Sequence, residues 1–99
     1  GLCSSYEVFD GGKTYRFRLR DAKWSNGEQV RAYDFAYAWM SMLDPKSSAP
    51  YAHQLFCVAG ARDYKEGRGK REDVQILAEN DRLLIVRLER PVAHFVELL

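Results

Sequence analysis

Apolar and polar positions follow two different periods along this chain, and the sharpest pattern lies in residues 18–45. From Ala32 the apolar residues Phe35, Ala38, Trp39 and Met42 fall at i, i+3, i+4 and i+7. That is one stripe of a 3.6-residue period and predicts an amphipathic helix. Asp34 stands in its first turn, where a carboxylate faces the positive end of the helix dipole. Asp44-Pro45 ends it, because proline drives the preceding residue out of the helical region. Upstream, Trp24-Ser25-Asn26-Gly27 reads as a turn, with Gly27 free to take a positive φ.

Elsewhere the period is two. Tyr6-Glu7-Val8-Phe9 and residues 14–19 flank Asp10-Gly11-Gly12-Lys13 and predict a hairpin with a primed turn centred on the two glycines. That register sets Val8 opposite Tyr15, Tyr6 opposite Phe17 and Glu7 opposite Arg16, leaving Glu7, Arg16, Arg18 and Arg20 on the polar face. The arginines could grip phosphate, but they alternate with Tyr15, Phe17 and Leu19 as on any half-buried strand, and we read them as a solvated face. Val74, Ile76 and Ala78 alternate against Leu84, Val86 and Leu88 across Asn80-Asp81-Arg82, a second hairpin. Its other face carries Leu77, Leu83 and Ile85, so it is either buried on both sides or offers a patch for association, including a homodimer through that face or an exposed sheet edge. Pro50 suits the first position of a short helix through Tyr51, His53, Leu55 and Phe56. Residues 61–65 read as another short helix. Pro91 opens a last one over 92–99, with Phe95, Leu98 and Leu99 on its apolar side. The fold class is therefore α+β, two antiparallel β-hairpins forming a sheet with helices packed on it.

A length of 99 residues fits a single small domain. Such a chain buries only about 60–65% of its unfolded surface. A net charge of +1 gives no electrostatic case for nucleic acid or an anionic membrane. No run approaches the roughly 18 apolar residues of a membrane span, and no signal peptide is visible. Cys3 lacks the upstream apolar segment that a lipidated cysteine needs.

Candidate chemistry is sparse. His53 and His94 lie outside signatures such as G-x-S-x-G and H-E-x-x-H. His53 and Cys57 stand at i, i+4 and could pair an imidazole with a thiol, but a zinc site would need Cys3 to fold back as a third ligand. Gly67-Arg68-Gly69-Lys70-Arg71 is glycine-rich and basic, yet no strand precedes it and no G-K-[ST] follows, so it reads as a solvated turn. The carboxylates are scattered. No catalytic residue, metal or cofactor is expected, and the chain is not expected to be an enzyme. Cys3 and Cys57 are expected as free thiols, since a bridge would need Cα atoms within about 7 Å.

The run RLRDAKWSNGEQV, the helix opening A-Y-D-F and closing L-D-P, and then S-A-P-Y-A resemble the extracytoplasmic oligopeptide- and dipeptide-binding proteins of ABC importers. The resemblance continues through D-Y-K-E-G-R-G, R-L-E-R-P and H-F-V-E-L-L, covering essentially the whole chain. It implies a single domain over residues 1–99, most of the small lobe of a larger, class II periplasmic-binding-protein-like receptor. Such receptors close over an extended peptide and pass it to an ABC permease. The implied location is the periplasm or the outer face of the cell membrane, as a lipoprotein at full length. No cofactor and no nucleic-acid partner are implied. Most ligand contacts in the family come from the larger lobes. One site residue carries over: the tyrosine of the S/A-P-Y-A stretch, here Tyr51, lies beside the peptide cleft in the resembled proteins. On the residues alone, Tyr51 could equally be a helix-start aromatic packed on the core with its hydroxyl at the surface. Arg31 and Ala49 depart from the family's usual threonine and serine. Two other readings remain: a free-standing protein–protein interaction domain using the apolar hairpin face, and a hydrolase built on His53 and Cys57.

Overall fold

The computed structural model describes residues 3–93 and 95–98. The first hairpin pairs β1 (Cys3–Phe9) with β2 (Thr14–Leu19) in the register read from the sequence, with Tyr6 opposite Phe17, Glu7 opposite Arg16 and Val8 opposite Tyr15. Two details differ. β1 begins three residues earlier than the alternation suggested, with a bulge between Cys3 and Ser5. The connection is a four-residue loop, not a two-residue Gly-Gly turn: Asp10 (φ 55°), Gly11 (φ 66°) and Gly12 (φ 93°) are all left-handed. Asp10 tolerates this because Thr14 Oγ1 donates to its carboxylate at 2.6 Å.

The second hairpin joins β3 (Ile76–Asn80) to β4 (Leu83–Arg87), and β4 pairs with β2, giving one four-stranded antiparallel sheet in the order β1-β2-β4-β3. Tyr15, Phe17 and Leu19 of β2 and Leu84 and Val86 of β4 turn their side chains to one face. There they meet helix α1 (Ala32–Leu43), short helix α2 (Ala61–Lys65) and Phe95 in a single core. Phe95 lies 5.0 Å from the Tyr15 ring. The terminal segment is a 310 turn, Phe95–Leu98, not a helix over 92–99. His94, Leu99 and the side chains of Cys3 and Leu98 lie outside what the structure describes.

The ends of α1 fall where the sequence puts them, but its buried stripe is rotated. Ala32, Trp39, Met40 and Leu43 are buried, Phe35, Ala36 and Met42 flank them, and Ala38 faces solvent. The sequence holds two overlapping apolar stripes on this helix, and packing against β3 and β4 selects the one through residues 32, 36, 39 and 43. On the far face of the second hairpin Leu77 is exposed and Ile85 half-buried, but Leu83 is only 8% exposed. The chain entering α1 returns to this point, with Ala32 N–H on the Asp81 carbonyl and Leu19 N–H on that of Arg82. The apolar face expected from Leu77, Leu83 and Ile85 is therefore narrower than three residues.

Candidate functional site

Tyr51 stands where the chain turns from α1 into the 310 turn Ala52–Leu55. Local chemistry fixes that turn. Asp44, held extended by Pro45 (φ −54°, ψ 129°), leaves the helix, and its carboxylate accepts the Lys46 N–H at 2.8 Å. The Ser47 N–H returns to the Asp44 carbonyl at 2.9 Å, and the Ser47 hydroxyl accepts the Ala49 N–H at 3.1 Å. Pro50 follows, and the Tyr51 carbonyl takes the Gln54 N–H at 3.1 Å. Ala52 and Leu55 are buried and pin the turn to the core. Tyr51 itself is 61% exposed. Its hydroxyl has no hydrogen-bonding partner among the described residues, so the ring offers a face for stacking and a free donor and acceptor. It is not packed on the core.

Lys65, at the end of α2, holds this loop from below. Its ammonium donates to the carbonyls of Met42 (3.2 Å), Asp44 (2.9 Å) and Ser47 (2.6 Å). A cation there satisfies acceptors that the end of α1 leaves without intrahelical partners.

The remaining candidates do not assemble. The 310 turn stops at Leu55, so His53 and Cys57 do not share an α-helical face. Cys57 already runs beside Glu89, its carbonyl accepting the Glu89 N–H at 3.0 Å. Its free thiol is half-buried; desolvation first, and the Glu89 charge second, push its pKa up against an opposing backbone hydrogen bond. A raised thiol is poorly nucleophilic. Among the described residues no cluster of three His, Cys, Asp or Glu side chains could hold a metal. In the glycine-rich turn Arg68 is tied to Asp63 (2.9 Å) and Glu66 (2.6 Å), and these carboxylates occupy the charge an anion would need. Arg16 is likewise bracketed by Glu7 (3.9 Å) and Glu79 (3.7 Å) on the open face of the sheet.

One feature carries no role in the sequence reading. A groove of about 570 Å³ runs between α1 and β3, lined by Tyr33, Tyr37, Met40, Arg71, Glu72 and Leu77. The signal available was the i, i+4 pair Tyr33 and Tyr37 on the polar side of α1, where aromatics gain nothing from the core. Tyr51 is not part of that groove.

All 99 residues match the model of the family described as bacterial extracellular solute-binding proteins, family 5, middle. The chain is 46% identical over 99 residues to the oligopeptide-binding protein OppA of Bacillus subtilis, covering 99% of this chain and 18% of that protein. Its fold superposes on the substrate-binding domain of an oligopeptide ABC transporter from Bacillus anthracis with a TM-score of 0.93 at 38% identity, over 99% of this chain and 19% of the other. Listeria monocytogenes OppA bound to peptide gives a TM-score of 0.92 at 32% identity, over 99% and 20% respectively. The chain thus spans about a fifth of the length of the relatives it matches.

Proposed function

The chain belongs to family 5 of the bacterial extracellular solute-binding proteins, and on that premise we propose that it is the greater part of the small lobe of a receptor that captures peptides outside the cytoplasm and delivers them to an ABC permease. The observation that carries the reading is the unbroken match of all 99 residues to the family, with the fold retained against a peptide-bound relative. The relatives are named as oligopeptide-binding, and peptide is accordingly the ligand class proposed here. Among the described residues no helix is long and apolar enough to cross a membrane.

In this reading Tyr51 is a ligand contact supplied by this lobe. An exposed aromatic whose hydroxyl has no partner among the described residues, on a turn braced at both ends, can lie against an extended peptide and hydrogen-bond its backbone without first rearranging. The chemistry needs no catalytic group, and a receptor that releases its ligand unchanged is not an enzyme. The absence of a cofactor follows from the same reading. One lobe provides only one wall of a cleft, while immobilising a flexible peptide costs several kcal/mol.

The test uses the full-length reading frame. Calorimetric titration with mixed peptides is expected to show binding that Tyr51→Ala weakens about tenfold, near 1.4 kcal/mol, with Tyr51→Phe intermediate. The 99-residue chain alone is expected to bind nothing tighter than about millimolar, the level of one or two contacts. Full-length protein indifferent to Tyr51→Ala would remove Tyr51 from the site. Micromolar binding by the short chain would overturn the partial-lobe assignment.

A further inference from the structure

Helix α1 ends without a cation of its own: its last turn holds no basic residue, and the final carbonyls of a helix lack partners further along it. Lys65 supplies the charge from another helix. An ammonium has three N–H donors, and the bonds to Met42, Asp44 and Ser47 engage all three. One nitrogen therefore fixes three carbonyls that lie inside the helix, at its exit and in the loop beyond. The stem carrying that nitrogen is anchored independently. Ala61 is fully buried at the start of α2, and Gly60 before it lies against the Asp73 backbone. After Lys65 the N–H groups of Glu66 and Gly67 close onto the Arg62 and Tyr64 carbonyls. From Ser47 the path to Tyr51 is short and bonded: the Ser47 hydroxyl takes the Ala49 N–H, the Ala49 carbonyl takes the Ala52 N–H at 3.5 Å, and Pro50 fixes its own φ.

We infer that Lys65 is a positioning residue for Tyr51, setting peptide affinity by holding residues 44–51 in their binding arrangement before the ligand arrives. The inference rests on the reading of Tyr51 as a ligand contact. Lys65 acts through the loop alone, since its three donors are engaged by carbonyls and none is left for a ligand. Without the ammonium those carbonyls turn to water and the loop samples other arrangements. Ordering it then becomes a cost of binding, and the observed affinity falls by the fraction of time the competent arrangement is populated.

The test is calorimetric titration of the full-length receptor with mixed peptides, at a temperature where denaturation curves show every variant folded. Lys65→Met is expected to bind about fivefold more weakly, as for a loop competent about a fifth of the time. In a Tyr51→Ala background the same substitution should change binding less than about twofold, because the side chain it positions is gone. Hydrogen exchange gives a readout that lost stability alone would not move. In Lys65→Met the Ser47 and Ala49 amides should regain protection on saturation with peptide, whereas in the unsubstituted receptor they are protected with and without it. If Lys65→Met does not fold, Lys65→Arg carries the same comparisons, since a planar guanidinium cannot converge on three carbonyls as an ammonium does. Undiminished binding by the Lys65 variant, or a loss that persists in full in the Tyr51→Ala background, would overturn the positioning role while leaving Tyr51 as a contact. Tyr51→Ala without effect would instead remove the contact itself, and the positioning role with it.

Discussion

The Lys65 ammonium sits 2.9 Å from the Asp44 carbonyl oxygen, so the last turn of α2 is tied to the end of α1 at the point where the Tyr51 loop begins. The same nitrogen reaches Met42 and Ser47. A methionine at 65 would keep the aliphatic stem and lose all three bonds, leaving carbonyls that water can only partly recover. Lys65→Met is expected to lower stability by about 1–2 kcal/mol, read from denaturant midpoints, the carbonyls being partly exposed and the pair at a helix C-terminus. Hydrogen exchange at Ser47 and Ala49 should quicken while the β2–β4 amides stay protected in proportion to global stability.

Arg31 occupies the N-cap of α1 with extended geometry (φ −126°, ψ 157°) and offers no acceptor to the first-turn amides. Half of a capping box is nonetheless present: the Asp34 carboxylate accepts the Arg31 N–H at 2.9 Å and the Trp24 indole N–H at 3.2 Å. Threonine at 31 would supply the missing half. It would forfeit a 3.8 Å ion pair to Asp34, which is exposed and worth little. Arg31→Thr is expected to stabilise the domain by about 0.5–1.5 kcal/mol, and an unchanged or lower denaturant midpoint would refute that.

The two periods in the sequence carried both hairpins, the ends of α1 and the first hairpin's register, because each rests on local alternation or on a proline. They could not carry the rotation of α1: Ala38 and Met40 are both apolar, and only the sheet decides which one is buried. Leu83 illustrates the same limit, its burial coming from a chain return at Asp81 and Arg82 that alternation does not encode. At the candidate site, resemblance singled out the Pro50-Tyr51-Ala52 turn proposed here as a ligand contact, whereas Lys65 was not singled out, since a lysine ending a short helix looks like any solvated cation until its three carbonyls are in place.

Cys57 is the one described thiol, and burial holds its pKa above the ordinary value. The folded state thus favours the neutral thiol. Its contribution to stability is fully present below the unfolded pKa and is lost as pH rises through the raised folded value. Native protein should react with an alkylating reagent more slowly than unfolded protein at the same pH, with its half-maximal rate at higher pH. Equal pH profiles for native and unfolded Cys57 would contradict this.

Gly60 gives the sharpest test of how the second hairpin is seated. Its φ is 82°, and a β-carbon there would lie 2.3 Å from the Asp73 carbonyl oxygen and 3.2 Å from the Val74 Cα. The neighbouring backbone cannot retreat, because the Gln75 N–H bonds the Ala59 carbonyl at 3.0 Å and the Ala59 N–H bonds that of Arg87 at 2.9 Å. Gly67 makes a matched control, with the same φ of 82° and nothing within 4 Å of the added carbon. Gly67→Ala should cost only the left-handed penalty, about 1–2 kcal/mol. Gly60→Ala adds a backbone collision and should cost at least about 3–4 kcal/mol, a large share of the stability of a domain this size. Equal losses for the two substitutions would mean that residues 73–75 move freely away from Gly60, and that the hairpin is not locked to the α2 junction as these distances require.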